Sequence, residues 1–412
     1  MLELKASKVL VVEGVGEDPR ANARAQRLLS GIKTNEVVHV GDEELAAVVR
    51  GELAHRPYHG MDAEIEPVVI FNRFRFDDPD EERRRRIEAF PELNQSKFNG
   101  YGGFEWRESG SPGWRLRTGL VCQPAWQLHT IVGCHFRCAY CNLGWFVNVM
   151  LNMEDFVERL DGYLERCPSQ TLFQYDNHTD TVCFEPEHGG SKLLIDYFAH
   201  RPGKALELYV GKSDHVDFML DYDHRGHTVC CWSLSGRTQS RRFEARSAPM
   251  EARVEAMRKC QEAGYPVRVR FSPIIPVRNW REENREMIRL LLSRVKPDLV
   301  TIETIRFLDY DAMERYFDLS LLDERFLAAM REARGLPHAQ GCEVPDEFRK
   351  EVYQFIFDEL DAAGCEAPVA FCREKRALWD HFAETFARWG QGPDGYVCNC
   401  GPRSAPATVA AN

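Results

Sequence analysis

The sequence predicts an α/β protein: an open, partial barrel of six βα units, preceded by a small β-α-β-α unit and followed by a helical, cysteine-containing extension. Three observations lead there. Apolar strand-like runs alternate with helical patterns from about residue 126 to 310. Six units are too few for a closed eight-stranded barrel, and ligands of such folds sit at the C-terminal ends of the strands. With 412 residues, 44% of them apolar, the chain can bury a large core without disulfides.

The elements follow in order. Val9-Leu10-Val11-Val12 reads as a buried strand. Asp18-Pro19 reads as a helix start, with Ala21, Ala25, Leu28 and Leu29 turned inward. Residues 37–40 form a second strand and 43–49 a second helix. Residues 50–120 read as irregular and end in a glycine-rich linker. Strands are expected at 128–132, 171–175, 206–210, 228–234, 267–275 and 299–305. Between them lie helices at 153–166, 191–199, 250–263 and 281–295, with another starting at 216–220. Beyond 310 the pattern is helical, at 346–363 and 374–388, and the end from Pro402 reads as a frayed tail. Boundaries are therefore expected at 1–120, 121–310 and 311–412.

The net charge of −11 lowers the expectation of a duplex DNA substrate, because DNA-gripping proteins usually carry a basic footprint. The Arg83–Arg86 run follows five acidic residues, which suits the dipole of a solvated helix. No run of 18 apolar residues occurs, so no membrane span is expected. The charged N-terminus does not read as a signal peptide, and the expected location is the cytoplasm.

Fourteen cysteines in a chain expected to be cytoplasmic point to metal or catalysis more than to disulfides. Cys134, Cys138 and Cys141 stand at C-x3-C-x2-C spacing on a loop after the first barrel strand. Three thiolates on one short loop can hold three irons of a [4Fe–4S] cubane and leave the fourth iron open. A structural zinc site wants four ligands, and His135 beside Cys134 is badly placed to be one.

This loop, Gly133-Cys134-His135-Phe136-Arg137-Cys138-Ala139-Tyr140-Cys141, resembles the radical S-adenosylmethionine (SAM) superfamily. The closer similarity is to the spore photoproduct lyase family. It is carried by the loop, Asn177-His178-Thr179-Asp180, Val210-Gly211-Lys212, Trp232-Ser233-Leu234-Ser235, and the stretch from Glu262 to Pro276. The resemblance implies a partial (β/α)6 radical SAM barrel and reductive cleavage of SAM to a 5′-deoxyadenosyl radical, which abstracts hydrogen from a substrate. It implies that Thr179, Asp180, Lys212 and Ser233 lie near SAM, that Tyr140 belongs to the catalytic loop, and that a flavodoxin- or ferredoxin-type protein donates the electron. Hydroxyls and an ammonium suit SAM's polar groups, although the same residues commonly cap turns or sit in solvent.

The pattern departs from the family at Asn177, where the DNA-repair members carry a hydrogen-donating cysteine, and at Asn142, where they carry an aromatic. Cys183, Cys230 and Cys231 are candidate replacement donors, although a buried cysteine is more often inert. Cys230 and Cys231 share a strand, so one points inward and the other outward. These departures and the acidic balance favour a small metabolite or nucleotide substrate over a DNA photolesion. A non-catalytic iron–sulfur electron carrier is a third reading, against which the SAM-like positions count.

Cys372 and the Cys398-Asn399-Cys400 pair suggest a second metal site, with Cys365 or Cys342 as a fourth ligand. An auxiliary [4Fe–4S] cluster is favoured over zinc or an empty site, since thiolates suit either metal centre.

Overall fold

The unbroken apolar run near the N-terminus forms the strand Lys8–Val12, buried on both faces as a central parallel strand requires. A computed structural model describes residues 1–53, 66–95, 97–143, 146–244, 246–337 and 343–401. Lys8–Val12 lies between Val37–Val40 and Val68–Asn72, and Phe146–Met150 joins as the fourth parallel strand. Short Ile131–Val132 closes this sheet antiparallel. The helix Pro19–Ser30 starts at Asp18, whose carboxylate accepts from the Arg20 amide at 2.8 Å. Ala21, Ala25 and Leu28 are buried as expected, but Arg24 takes the inward place expected of Leu29. It reaches Glu154 at 2.9 Å and ties this layer to the next.

The larger sheet has eight strands. Seven are parallel, in the order Ala125–Leu128, Leu172–Tyr175, Ala205–Gly211, Thr228–Ser233, Val267–Ile274, Leu299–Thr304 and Val369–Phe371. Phe104–Arg107 pairs antiparallel with the first, so this sheet has two edges and forms an open barrel. Helices such as Met250–Glu262 and Trp280–Arg294 cover its outer face through Val254, Met257, Met287 and Ile288. No helix among the described residues is long and apolar enough to cross a membrane.

The structure corrects several expectations. Residues 50–120 are not irregular: they include Val68–Asn72, Asp80–Ala89, Phe104–Arg107 and Pro112–Thr118. The expected strand at 128–132 splits, Ala125–Leu128 going to the barrel and Ile131–Val132 to the N-terminal sheet. The barrel sheet has a seventh parallel strand, Val369–Phe371, drawn from the C-terminal region. Sheet membership thus crosses the boundaries expected near 120 and 310 in both directions. The helix expected at 216–220 is a single 3-10 turn, Asp217–Met219, and that at 374–388 is broken into Arg376–His381 and Ala383–Ala387. In the basic run, Arg84 and Arg85 pair with Glu81, while Arg86 is buried against Asp42 at 2.7 Å. The expected frayed tail and Cys342 lie outside the described residues.

Strand alternation decides which side chains reach the barrel lumen. On Thr228–Ser233, Cys230 faces Cys260 of the outer helix, whereas Cys231 faces Glu207 inside. The lumen is polar, holding Gln127, Gln174, Glu207, Arg268 and Arg270, and the segment before residue 401 enters it. Arg268 Nη1 donates to the Cys398 carbonyl at 2.9 Å.

Candidate functional site

The cysteine loop bridges the two sheets, leaving Ile131–Val132 and returning to Phe146–Met150. Gly133 opens it at φ +109°, and a Cβ there would lie 1.9 Å from the Phe146 carbonyl oxygen, so only glycine fits. The loop is pinned by Gly133 N to His178 O at 3.0 Å, Cys134 N to Leu143 O at 2.8 Å and Ala139 N to Phe243 O at 2.8 Å. The amide of Phe136 donates to Cys134 Sγ at 3.4 Å. Cys138 is buried, Cys134 and Cys141 half-buried. Burial pushes all three thiols up, Cys138 to about 12, so a metal cation is what would make them thiolates.

Asp180 and Lys212 meet the loop from the ends of the second and third barrel strands. The Lys212 amide donates to Asp180 Oδ2 at 2.7 Å, and Cys183 Sγ donates to Oδ1 at 3.2 Å. Gly211, at φ +71°, makes this approach feasible, because a Cβ would lie 2.3 Å from Asp180 Oδ2. Burial pushes Asp180 up to about 7. The Lys212 ammonium sits 5.7 Å from the centre of the Tyr140 ring. Burial opposes its charge, but Glu244, Tyr209 and Cys138 outweigh that and keep it protonated.

A network that sequence reasoning missed centres on Glu244. Its carboxylate accepts from Tyr140 at 2.6 Å, Ser235 at 2.9 Å, Gln239 at 3.0 Å and Arg253 Nη2 at 2.7 Å. Burial opposes its charge, yet Arg253 and Lys212 hold its carboxyl at about 2. No spacing pattern marks Glu244 or Arg253; only their convergence does. Ser233 ends the next strand, with its hydroxyl 2.9 Å from Tyr209 Oη.

The candidate hydrogen donors separate. Cys230 faces the outer helix and is removed from the lumen. Cys183 packs in the apolar core beneath the loop, with Phe136 and Cys138, so it too is not a lumen residue. Cys231 alone of the three faces the lumen. Asn177 is half-buried, and its Oδ1 is buried without a hydrogen-bond partner.

Next to the loop, Asp176 holds His129 Nδ1 at 2.6 Å and the Thr130 amide at 2.9 Å. Burial opposes the charge of His129, but Asp176 raises its pKa; stacked His178, with ring centroids 3.9 Å apart, is held at about 4 by burial and by His129. Glu105, His129 and His178 bring one ligand atom each within 4.8 Å, the span of a single ion. Among the described residues the loop cysteines form no such group, as the wider sulfur spacing of a cubane requires.

The fit to a cluster with SAM rests on two further observations. Thr179 Oγ1 is buried without a partner. Among the described residues, no carboxylate lies within ion-pair distance of the Lys212 ammonium, which leaves it available to an anionic group. A cavity of 630 Å³ opens beside Tyr140 and Cys141, walled by Ser272, Glu303, Arg306 and Phe307. The Phe307 ring is 58% exposed, with the Arg306 and Arg373 guanidinium groups 5.3 and 5.4 Å from its centre.

An open parallel sheet whose first strand leads, through Ile131–Val132, into a loop with three cysteines is the arrangement expected of a radical SAM partial barrel. Residues 124–312, somewhat less than half of the chain, match the model of the spore photoproduct lyase family. The chain is 29% identical over 184 residues to the spore photoproduct lyase of Bacillus subtilis (strain 168), covering 42% of this chain and 54% of that one. It is 26% identical over 178 residues to that of Clostridium acetobutylicum, covering 41% and 53%. The chain thus spans about half the length of the curated relatives it matches. A solved spore photoproduct lyase variant with bound AdoMet and dinucleoside spore photoproduct has the same fold, with a TM-score of 0.62 at 17% identity over 89% of this chain and 98% of that one. The chain resembles the spore photoproduct lyase family in part of its sequence and shares the fold of a solved member.

Proposed function

We propose that this chain is a radical SAM lyase of the spore photoproduct lyase type, acting on a nucleobase-containing photolesion. The observation that carries the reading is the meeting of the Cys134–Cys138–Cys141 loop with Asp180 and Lys212 at the mouth of the barrel. The family-model match and the curated relatives support the lyase reading, and the expectation of a small metabolite gains no support from them.

Cys134, Cys138 and Cys141 would hold three irons, and Lys212 and Thr179 would receive the polar groups of SAM. When bound, the cluster and SAM supply a carbon-centred radical able to abstract hydrogen from the substrate. Glu244 fixes Tyr140 and counters the Lys212 charge, so the ammonium stays in place. The exposed Phe307 ring, flanked by two guanidinium groups, offers a stacking platform for a base at the cavity mouth. A flavodoxin- or ferredoxin-type donor would supply the electron.

Asn177 and the net charge of −11 favour a second reading, a free nucleotide rather than a lesion within DNA. Anaerobic reconstitution followed by dithionite and SAM is expected to release 5′-deoxyadenosine. An intact cluster that leaves SAM uncleaved sinks both readings. Turnover of a dinucleoside photoproduct, with salt-sensitive binding of lesion-bearing DNA, separates the first from the second.

A further inference from the structure

We propose that Cys122, Cys372, Cys398 and Cys400 are the four ligands of an auxiliary [4Fe–4S] cluster seated in the barrel lumen. Three segments distant in sequence bring them together. Cys122 lies just before the first barrel strand, Cys372 directly follows the seventh, and Cys398 and Cys400 lie on the turn that enters the lumen. None of the four is in a disulfide.

The hydrogen bonds define one pocket. Arg107 Nη1 donates to Cys400 Sγ at 3.1 Å, and its Nη2 donates to the carbonyl of Gln123 at 2.9 Å. Gln123 Nε2 donates to Cys398 Sγ at 3.3 Å and to the Tyr396 carbonyl at 2.9 Å, which fastens the segment carrying Cys122 to the turn. The Cys400 amide donates to Cys398 Sγ at 3.4 Å. Arg270 Nη2 reaches Cys372 Sγ at 3.8 Å. Cys400 and Cys122 both lie within electrostatic reach of Cys372, which places the four side chains around one pocket. Cys365, the half-buried alternative, turns instead toward the Ala367 carbonyl at 4.0 Å.

Charge argues for a metal centre over four inert thiols. Among the described residues neither Arg107 nor Arg270 has a carboxylate ion-pair partner, and the Nε atoms of both are buried without hydrogen bonds. Glu207, pushed up to about 7 by burial, supplies only part of a countercharge. A buried cation without a countercharge is costly, whereas a cubane with four thiolates is a dianion and would balance both arginines. Spacing argues for a cluster over zinc. Among the described residues, no three of these sulfurs form a group within the 4.8 Å span that suits a single ion.

Four protein ligands leave no iron open. The cluster would therefore carry electrons and would not chelate substrate. Arg270 stands between the quartet and the mouth of the barrel, its guanidinium 5.5 Å from the centre of the Tyr209 ring, and Tyr209 bonds Ser233.

The test uses the full chain with the loop removed as a ligand set, Cys134→Ala with Cys138→Ala and Cys141→Ala, purified anaerobically. It is expected to keep about four irons and about four sulfides per chain, half the wild-type content. Its dithionite-reduced EPR signal is expected to be unchanged by SAM. Adding Cys122→Ala should remove the iron, and adding Cys365→Ala should leave it, with far-UV circular dichroism to confirm folding. A loop-less variant that holds no iron, holds zinc, or shows a Cys398–Cys400 disulfide by mass spectrometry overturns the proposal without requiring any quartet variant to fold. Iron retained without Cys122, or lost without Cys365, overturns the ligand assignment. All these outcomes are independent of whether wild type cleaves SAM.

Discussion

The two cysteine regions reach similar chemistry by opposite routes. The loop triad comes from eight consecutive residues, Cys134 to Cys141, and its loop is held by backbone hydrogen bonds to two other segments, at His178 and Phe243. The lumen quartet comes from residues up to 278 positions apart, and it forms only because the seventh strand and the terminal turn close on the first. The triad faces Lys212 and an open cavity, as a reactive site must. The quartet is walled by arginines and lies within the barrel. On the proposed ligand sets, three ligands would leave an iron for chemistry and four would seal it, so position in the fold and ligand count agree on one division of labour.

Several substitutions break or sharpen that contrast, the largest effect first. Cys138→Ala is expected to abolish 5′-deoxyadenosine formation while leaving the lumen quartet's iron, read by iron analysis and a SAM-cleavage assay. Arg253→Met leaves Glu244 charged and unpaired in a fully buried place. Loss of about 3–5 kcal/mol of stability is expected in chemical denaturation. Gln123→Ala removes the side-chain bonds to Tyr396 and Cys398, costing about 1–3 kcal/mol. It should speed loss of iron from the quartet to a chelator without changing SAM cleavage. Phe307→Ala should weaken binding of a nucleobase substrate by about 1–3 kcal/mol, raising its KM while substrate-free SAM cleavage stays as in wild type.

The smallest effect is a pH dependence beside the loop. The His129 pKa is raised in the folded protein, so its contribution is complete below its unfolded value of about 6.5 and is lost as pH rises through the higher folded value. Asp176→Asn should flatten this decline in melting temperature above neutrality. An identical pH profile in the variant would exclude the pair as its source.

Particular elements show where the sequence was readable. Strands at 206–210, 228–234, 267–275 and 299–305 were legible because each is an apolar run bounded by turn residues, within a stretch where such runs alternate with helical patterns. Val68–Asn72 and Phe146–Met150 were not, because short runs buried on both faces carry no period to recognise. Val369–Phe371 is only three residues long and becomes a strand by pairing with Leu299–Thr304. The inward and outward split of Cys230 and Cys231 was legible from alternation alone. That Cys231 faces Glu207, while Cys183 lies outside the lumen, required the packing.

By itself the sequence determined the α/β class, the loop triad and the residues that meet it at the strand ends. The first two are local facts, of periodicity and of spacing along one loop; the residues at the strand ends came with the resemblance to a known family. Only the tertiary structure decided the fourth member of the second cysteine set. Cys122 stands alone in the sequence, and a lone cysteine has no spacing to betray a role. Strand pairing brings it to Cys372, and the guanidinium groups of Arg107 and Arg270 beside them, without a carboxylate ion-pair partner among the described residues, give the pocket its demand for negative charge.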